Sequence, residues 1–489
     1  MLDVLFSHSY YYKLDPKQWS NQNPYPPLGT LFAASLLRKN NYSVGLFDTN
    51  LKDGPESIEK DLLTLQPKFL VLYDDGFNYL TKMCLTNMRD AAFKMIGIGK
   101  KQGCVVVVNS SDATDHYQKY LDQGADFVIQ GEGDQTLLEL IDGLQKNNDI
   151  SNLKGLIFLS ENKTIVNPKR EVLRELDTLP LPAWDLVDMA SYKEVWKKSG
   201  KPFTLNMATT RGCPFKCNWC AKPIYGNRYN SHSPKYVVEH LKVLKETYDV
   251  KRFWMCDDIF GLKPNWVQEF NRILKREQLS ISYYIQSRVD LLLKDDTINA
   301  LAESGLEEVW VGAESGSQKI LDAMDKGITV EQIKEATKRL RKRGIRVSFF
   351  IQYGYLGETQ EDIQKTIDMI KDLCPDNLGI SVSYPLPGTK FYNKVKEELN
   401  IKSNWTDSDD LAMLFQGTYN SRYYKTLHRY THKEYRKSQA LKNLKSFVQN
   451  PFTLFAQSRL RSMSLYLYYV LSAWFYKFQL KSIQMSDGK

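Results

Sequence analysis

Residues 213–220 read Cys213-Pro-Phe-Lys-Cys217-Asn-Trp-Cys220, so three of the chain's seven cysteines lie within eight residues. One tight cluster in an odd set of cysteines favours a metal or cofactor site over disulfide bonds. Three thiolates at this spacing can hold an iron-sulfur cubane and leave one of its irons open to a further ligand. The glycine and proline that flank Cys213 suit a loop that wraps such a cluster closely. The alternative is a zinc ion, which would need a fourth ligand such as Cys256 or His232.

The cysteine loop follows the first of a series of alternating strand and helix patterns. The six predicted strands cover residues 204–209, 252–255, 281–286, 308–312, 346–352 and 378–383. Six such units between residues 201 and 395 predict a partial (β/α)6 barrel of the TIM type. Barrel enzymes keep their active sites at the carboxyl ends of the strands, which is where the cysteine loop is expected.

The pattern C-x-x-x-C-x-aromatic-C after a first barrel strand resembles the signature of the radical S-adenosylmethionine (radical SAM) superfamily. The resemblance implies that Cys213, Cys217 and Cys220 bind a [4Fe-4S] cluster and that Trp219 fills the aromatic position. It further implies that the amino and carboxylate groups of SAM chelate the open iron. The reduced cluster would then cleave SAM to a 5′-deoxyadenosyl radical, with electrons from a donor such as flavodoxin or ferredoxin.

Four further stretches match the same superfamily in order and position. Asp257 and Asp258 match the acids that receive the methionine amino group, and Arg288 is the expected partner of the carboxylate. Glu314, Ser315 and Gly316 resemble the segment near the ribose, and Gly354 belongs to the segment near the adenine. Each stretch taken alone is also a common strand-to-helix cap. Their shared order supports the resemblance.

Residues 1–150 predict a second α/β unit, a doubly wound, Rossmann-like sheet. Its five apolar strands are predicted at 2–6, 43–47, 69–73, 104–108 and 127–130, with helical stretches between them. Such sheets bind ligands at the carboxyl ends of their strands. Three loops there contain candidate ligand-binding residues, namely Gly29, Asn109 and Ser110, and Gly131, Glu132 and Gly133. Residues 151–200, with a Leu179-Pro-Leu-Pro-Ala-Trp-Asp185 stretch, are predicted to be an extended linker.

A doubly wound domain before the cysteine barrel resembles the cobalamin-binding radical SAM enzymes, over residues 1 to about 395. That group includes methyltransferases, an anaerobic porphyrin ring cyclase and enzymes of lipids and natural products. The resemblance implies cobalamin on the front-domain loops. The chain departs from the pattern in two ways. The D-x-H-x-x-G motif that presents histidine to cobalt is absent, and residues 109–114 replace a loop that is often Gly-Gly.

Composition and charge limit the class of protein and single out the C-terminal part of the chain. With 489 residues, 42% hydrophobic and 25% charged, the composition excludes collagen, coiled coil and general disorder. No apolar run reaches the length of a membrane-spanning helix, and the first residues lack a secretory signal, so we expect a cytoplasmic protein. From Ser421 onwards, 13 Lys and Arg face only Glu434 and Asp487.

Residues 396–489 are predicted to be a helical, basic and aromatic extension. Three roles are open: packing over the barrel mouth, contact with a membrane surface or lipid-like substrate, and contact with nucleic acid. Nucleic acid is disfavoured, because no run of strands follows residue 390 to form a compact RNA-binding barrel.

The sequence thus predicts a radical SAM enzyme that methylates or cyclises an unactivated centre of a small or lipid-like molecule, with cobalamin as a further cofactor. One alternative is a cobalamin-free radical SAM enzyme whose front domain binds substrate. Another is a non-catalytic iron-sulfur protein tethered to membrane or nucleic acid. The substrate itself is not predicted.

Overall fold

The computed structural model describes residues 2–294, 296–449 and 456–487. The strands are β1 Val4–Ser7, β2 Val44–Phe47, β3 Phe69–Tyr73, β4 Val105–Asn109, β5 Phe127–Ile129, β6 Leu156–Ser160, β7 Lys163–Val166, β8 Leu205–Met207, β9 Thr210–Arg211, β10 Asn230–Ser231, β11 Arg252–Met255, β12 Ser282–Ser287, β13 Leu306–Glu314, β14 Arg346–Tyr353 and β15 Leu378–Val382.

The α-helices are α1 Pro16–Asn21, α2 Leu28–Lys39, α3 Ile58–Leu65, α4 Tyr79–Lys82, α5 Thr86–Lys101, α6 Ser111–Asp115, α7 Tyr117–Asp122, α8 Asp134–Lys146, α9 Met189–Lys198, α10 Pro234–Tyr248, α11 Trp266–Arg276, α12 Val289–Leu292, α13 Thr297–Glu303, α14 Gln318–Ala323, α15 Val330–Lys342, α16 Gln360–Leu373, α17 Lys390–Val395, α18 Ser421–Gln449 and α19 Ala456–Asp487.

The front sheet has the order β2-β1-β3-β4-β5-β6-β7, and its first five strands are parallel. Strands such as β3 are buried along their whole length because helices cover both faces of the sheet. The strand order reverses next to β1, where doubly wound sheets bind their ligands. The prediction of a doubly wound front domain is confirmed.

The predicted linker at 151–200 contains regular structure. β6 and β7 form an antiparallel hairpin that extends the front sheet, and α9 follows it. Trp184, Tyr192 and Trp196 are buried there, so this segment packs against the protein core and is not an extended linker. The hairpin was not predicted because β7 is a partly exposed edge strand of only four residues, which is too short to show an alternating pattern.

The second sheet is a partial barrel with the order β15-β14-β13-β12-β11-β8, all parallel, as predicted. Tyr283 is fully buried and lies 6.0 Å from Phe270 of α11, so this face of β12 packs on the outer helices. The alternate residues point inwards. Among them Tyr284, Trp310 and Phe350 stay half exposed, and the Trp310 and Phe350 rings stack at 4.8 Å.

The C-terminal extension is helical only from Ser421, because residues 399–420 are irregular and rich in Asp, Ser and Asn. A bridge between Leu399 and Phe415 closes this loop, and its Trp405 carbonyl accepts a hydrogen bond from Thr86 N of the front domain. α18 packs on the barrel, where Tyr353 and Thr431 are hydrogen-bonded at 3.1 Å. Within the described residues, no helix is long and apolar enough to cross a membrane.

Candidate functional site

The cysteine loop begins at the carboxyl end of β8 and is closed at its base by the short β9–β10 ladder. Gly212 has a φ of +78°, and a Cβ there would lie 2.5 Å from the Arg228 carbonyl oxygen, so only glycine fits. Asp257, at the end of β11, accepts hydrogen bonds of 2.7 Å from Thr209 N, Thr209 Oγ1 and Thr210 N. The buried Asp257 carboxylate therefore fixes the turn that leads into the loop.

Asn218, inside the cysteine motif, anchors the loop to three other barrel segments. Its amide donates to the Ala323 carbonyl at 2.7 Å, and its side-chain oxygen accepts from the Tyr355 hydroxyl at 2.6 Å. Its backbone accepts from Phe391 N at 2.9 Å. Asn218 was not among the predicted site residues, because its partners lie more than 100 residues away in the sequence and only the barrel brings them together.

The three loop cysteines are half buried and unpaired, as ligands of a cluster should be. Burial raises the pKa of the Cys213 thiol, and raises that of Cys220 to about 11. The described residues contain no set of three or more Cys, His, Asp or Glu side chains gathered around a single ion. A cubane fits this donor set, because each of its thiolates binds a different iron.

The residues suggested for a zinc site make other contacts. Cys256 Sγ donates to the Met207 carbonyl at 3.2 Å, and His232 Nδ1 lies 3.1 Å from Asp177. Neither side chain is available to complete a set of zinc ligands with the loop cysteines. The zinc alternative is therefore dropped.

Three ion pairs surround the cysteine loop. Arg288 binds Asp290 at 2.9 Å, places Nη1 3.9 Å from Cys217 Sγ and stacks on the Phe215 ring. At the end of β13, the buried Glu314 binds Lys326 at 2.6 Å, and this ammonium lies 5.9 Å from the Trp219 ring.

Asp258 forms the third pair with Lys82 of the front domain. Desolvation lowers the pKa of the half-buried Lys82, but the Asp258 carboxylate outweighs it, so the pKa of Lys82 is raised. Lys82 and Lys326 were missed by sequence analysis, and in the sequence Lys82 is 176 residues from its partner. Together the pairs place cations and carboxylates where the polar end of SAM is expected.

Ser315 and Gly316 both contact α16, and these contacts account for the two residue types without a bound ligand. Ser315 Oγ lies 3.0 Å from Thr366 Oγ1, and Gly316 N donates to the same oxygen at 2.9 Å. A Cβ at Gly316 would collide with the backbone of Lys365 in α16. The expected ribose contact of this segment stays a prediction.

Most of the predicted front-domain residues bind protein groups. Asn109 Nδ2 donates to the Ile129 and Gly131 carbonyls at 2.9 and 3.0 Å, and Ser110 Oγ caps α6 through Ala113 N at 2.8 Å. A Cβ on Gly133 would lie 2.8 Å from the Asn109 side chain, and Gly29 N donates to Asp75 at 3.0 Å. These residues shape the sheet edge rather than present free groups to a cofactor.

Glu132 joins the two domains. With Asp134 it binds the guanidinium of Arg211, which lies on β9 directly before the cysteine loop, and all three side chains are buried. The second Glu132 oxygen accepts from Leu173 N at 2.5 Å. Glu132 was predicted to bind cofactor, but both of its oxygens are already engaged.

A cleft of about 910 Å³ lies between the domains. Gly131, Glu132 and the 169–174 segment line one side, and Cys220 with the rest of the loop lines the other. Gly131 has a φ of +74°, which favours glycine, and the absence of a side chain there leaves backbone at the surface of the cleft. Of the front-domain predictions, Gly131 and Glu132 thus line the cleft opposite the cysteine loop.

Gly354 lies under the C-terminal extension. A Cβ there would lie 3.2 Å from Met413 and Tyr424, and its N–H donates to Glu358 Oε2 at 2.6 Å. Glu358 is fully buried, and its Oε1 has no hydrogen-bond partner among the described residues. Burial raises the pKa of Glu358 to about 8.

Glu358→Gln is expected to change how stability depends on pH. The native state keeps a proton on Glu358 that the unfolded chain releases above about pH 4.3, so stability is lost as pH rises towards 8. Glutamine keeps the neutral form, so we expect a melting temperature several degrees above wild type at pH 8.5 and equal to it at about pH 5. Glu361→Gln, at an exposed acid three residues further along the chain in the first turn of α16, is the control. Equal pH profiles for all three proteins would contradict the assignment.

Comparison with known proteins agrees with this geometry. The model of the radical SAM superfamily matches residues 207–370. An uncharacterized methyltransferase of Pyrococcus horikoshii is 30% identical over 387 residues, which are 78% of this chain and 81% of that protein. The anaerobic magnesium-protoporphyrin IX monomethyl ester cyclase of Rubrivivax gelatinosus is 25% identical over 410 residues, 81% of this chain and 71% of that protein.

A solved structure shares the whole architecture. The cobalamin-dependent S-adenosylmethionine radical enzyme OxsB, with aqua-cobalamin bound, has a TM-score of 0.72 at 17% identity and covers 98% of this chain and 72% of its own. At this identity the likeness concerns the fold alone, and it extends over the front domain, the partial barrel and the extension. The chain therefore belongs to the radical S-adenosylmethionine superfamily, as an enzyme that uses a [4Fe-4S] cluster and SAM in a barrel behind a doubly wound front domain.

Proposed function

We propose that this enzyme methylates an unactivated carbon or phosphorus centre of an organic substrate and holds cobalamin between its two domains. The observation that supports this most directly is the cleft of about 910 Å³. Its walls are the end of β5, at Gly131, and the cysteine loop, at Cys220. A broad cofactor in this cleft would face the cluster on one side and the front sheet on the other. Cobalamin, when bound, supplies a carrier for the methyl group.

The residues of the cleft suit a large polar cofactor. The front wall combines the bare backbone of Gly131 with a 169–174 segment that contributes the apolar Val172 and four charged side chains, those of Lys169, Arg170, Glu171 and Arg174. Such a wall can take up the amide-bearing rim of a corrin without displacing the Arg211 ion pairs. Cobalt coordination by a histidine is not part of the proposal, because the usual motif is absent.

SAM is proposed to bind across the three ion pairs. Arg288 and Lys326 are the cations for its carboxylate, and Asp258 is the acid for its amino group. Asp257 is assigned to the turn instead, since its oxygens already accept three hydrogen bonds. Cysteines 213, 217 and 220 hold the cluster that supplies the electron for cleavage of the sulfonium. The donor that reduces it, of the flavodoxin or ferredoxin kind, stays a prediction.

The inner wall of the barrel suggests the substrate class. Tyr284, Trp310 and Phe350 point inwards and are half exposed, and the last two stack at 4.8 Å. Aromatic faces of this kind favour a planar or apolar group, whose burial they stabilise. A small molecule with such a group, including a lipid-like one, fits this wall better than a highly charged one.

Iron and cobalt content tests the proposal. Anaerobically purified, cluster-reconstituted protein offered hydroxocobalamin should contain about four irons and one cobalt per chain. Val172→Trp, on the front wall of the cleft, should keep the iron and lose the cobalt, whereas Val166→Trp, exposed outside the cleft, should keep both. Label from the SAM methyl group should appear in the methylated product. Cobalt that survives Val172→Trp would place cobalamin elsewhere.

Ring formation is the second candidate, favoured by the similarity to the Rubrivivax cyclase. It would leave the labelled methyl group out of the product while 5′-deoxyadenosine accumulates. Four irons without cobalt would support the remaining alternative, a cobalamin-free radical SAM enzyme whose front domain binds substrate. The three outcomes are separated by cobalt content and by the fate of the label.

A further inference from the structure

The last helix, α19, has one face packed against the protein. Ala473, Leu480 and Ile483 are buried there. Gln484 Nε2 lies 3.4 Å from the Tyr423 hydroxyl of α18, and Lys433 Nζ donates to the Tyr468 hydroxyl at 3.1 Å. These contacts fix the rotation of the helix about its axis, and so determine which of its residues point away from the protein.

That opposite face is apolar and open. We call it the apolar face of α19, formed by Met463, Leu467, Leu471, Trp474, Phe478 and Met485. These residues recur at intervals of three, four or seven, which places them in one stripe along the helix. Leu471 is 68% exposed, Trp474 70% and Phe478 65%, and Phe475 beside them is 51% exposed. A continuous stripe of this size on a protein surface marks an interaction site.

Charge identifies the partner. Lys477 and Lys481 are exposed beside the apolar face, and the only acid of α19 is its last residue, Asp487. Between Ser421 and Lys489 the chain has 13 basic residues and two acids, so this part of the chain is strongly basic. A second copy of the chain would bring two such surfaces together and would be repelled. Anionic lipid headgroups complement both the bases and the stripe.

We propose that α19 lies on an anionic membrane surface, with its apolar face among the upper acyl chains. Trp474 then sits at the level where aromatic rings are favoured, between headgroups and hydrocarbon. Lys477 and Lys481 bury their aliphatic stems and reach the phosphates. The catalytic domains lie beside the bilayer in this arrangement, on the side of α18. The inference does not rest on the proposed methyl transfer.

Sedimentation of the full chain with vesicles tests the inference. We expect binding to vesicles of phosphatidylcholine mixed with phosphatidylglycerol, weaker binding to phosphatidylcholine alone, and loss of binding at high salt. Leu471→Glu with Phe478→Glu should lower the partition coefficient at least about tenfold, since two apolar anchors are lost and two like charges face the lipid. Ile401→Glu is the matched control, because Ile401 is fully exposed outside α19.

Two results would overturn the inference. One is a wild-type chain that stays in the supernatant with anionic vesicles, and the other is a double variant that binds as wild type does. A dimer in solution that the double variant dissociates, without vesicle binding, would assign the face to self-association and also overturn it. Cleavage of SAM by the double variant should equal that of wild type, which shows that the variant is folded and separates this test from the proposed function.

Discussion

Replacing Cys217 with alanine is expected to lower bound iron from about four per chain to below one and to reduce SAM cleavage to background. The same result is expected for Cys213→Ala and Cys220→Ala. Each thiolate of a three-cysteine cubane binds a different iron, so two ligands cannot retain a cluster that is already open at one iron. Activity and metal content should therefore fall together.

Other cysteines cannot take over the missing position. Cys256 is buried and donates its thiol hydrogen to the Met207 carbonyl, while Cys84 and Cys104 are both buried within the front domain. Cys374 is half buried at the end of α16, far along the chain from the loop. Cys374→Ala is the matched control and should keep both iron and activity.

The measurement combines iron content with electron paramagnetic resonance of the reduced protein. Wild type and Cys374→Ala should give the signal of a reduced [4Fe-4S] cluster that changes when SAM is added, because SAM binds the open iron. The three loop variants should give no such signal. A loop variant that keeps about four irons would show that the cluster is held by other residues.

How much of this site the sequence could predict depended on the distance along the chain between interacting residues. Strands β3, β11 and β14 lie within one or two residues of their predicted ranges, because apolar and β-branched runs report local burial. The order of the units then placed the cysteine loop at the mouth of the barrel. The front hairpin was missed because a four-residue, partly exposed edge strand lacks that signal.

The long-range pairs lay outside the reach of sequence analysis. Lys82 and Asp258 form a pair only because the front domain docks on the barrel. No local pattern around either residue predicts this contact. The same holds for Glu132, whose glycine-flanked loop suggested a cofactor contact. Docking instead brings that carboxylate to Arg211. Sequence patterns predicted which residues line the edge of the front sheet. Which of those side chains are free to bind a ligand depends on how the front domain contacts the barrel.

Arg211→Met is expected to have the largest effect on stability. The Arg211 guanidinium is buried, binds Asp134 at 2.8 Å as well as Glu132, and lies among the Phe32, Phe77 and Tyr225 rings. Without it, two buried carboxylates face each other unpaired. Loss of one partner from a buried ion pair costs about 3–5 kcal/mol. Since the triad joins the domains, the cysteine loop should also loosen and reconstituted iron should fall.

The control is an arginine of the same chemistry at the surface. Arg38 binds Asp185 through two hydrogen bonds of 2.8 and 2.9 Å, but its side chain is 42% exposed. Arg38→Met is expected to cost less than about 1 kcal/mol, because water screens exposed pairs. Thermal unfolding of the full chain, followed by circular dichroism, compares the two variants.

A triple variant separates the charge effect from lost packing. Arg211→Met combined with Glu132→Gln and Asp134→Asn removes the unpaired carboxylates while it keeps the shape of the interface. If the buried charges are what destabilise Arg211→Met, the triple variant should recover most of the loss, because a neutral site no longer pays for desolvation. If it stays as unstable as Arg211→Met, the stacking of the guanidinium on its three rings holds the domains together instead. A cost of Arg211→Met no larger than that of Arg38→Met would refute both explanations and leave the apolar contacts around Phe77 and Tyr225 as the main link between the front domain and the cysteine loop.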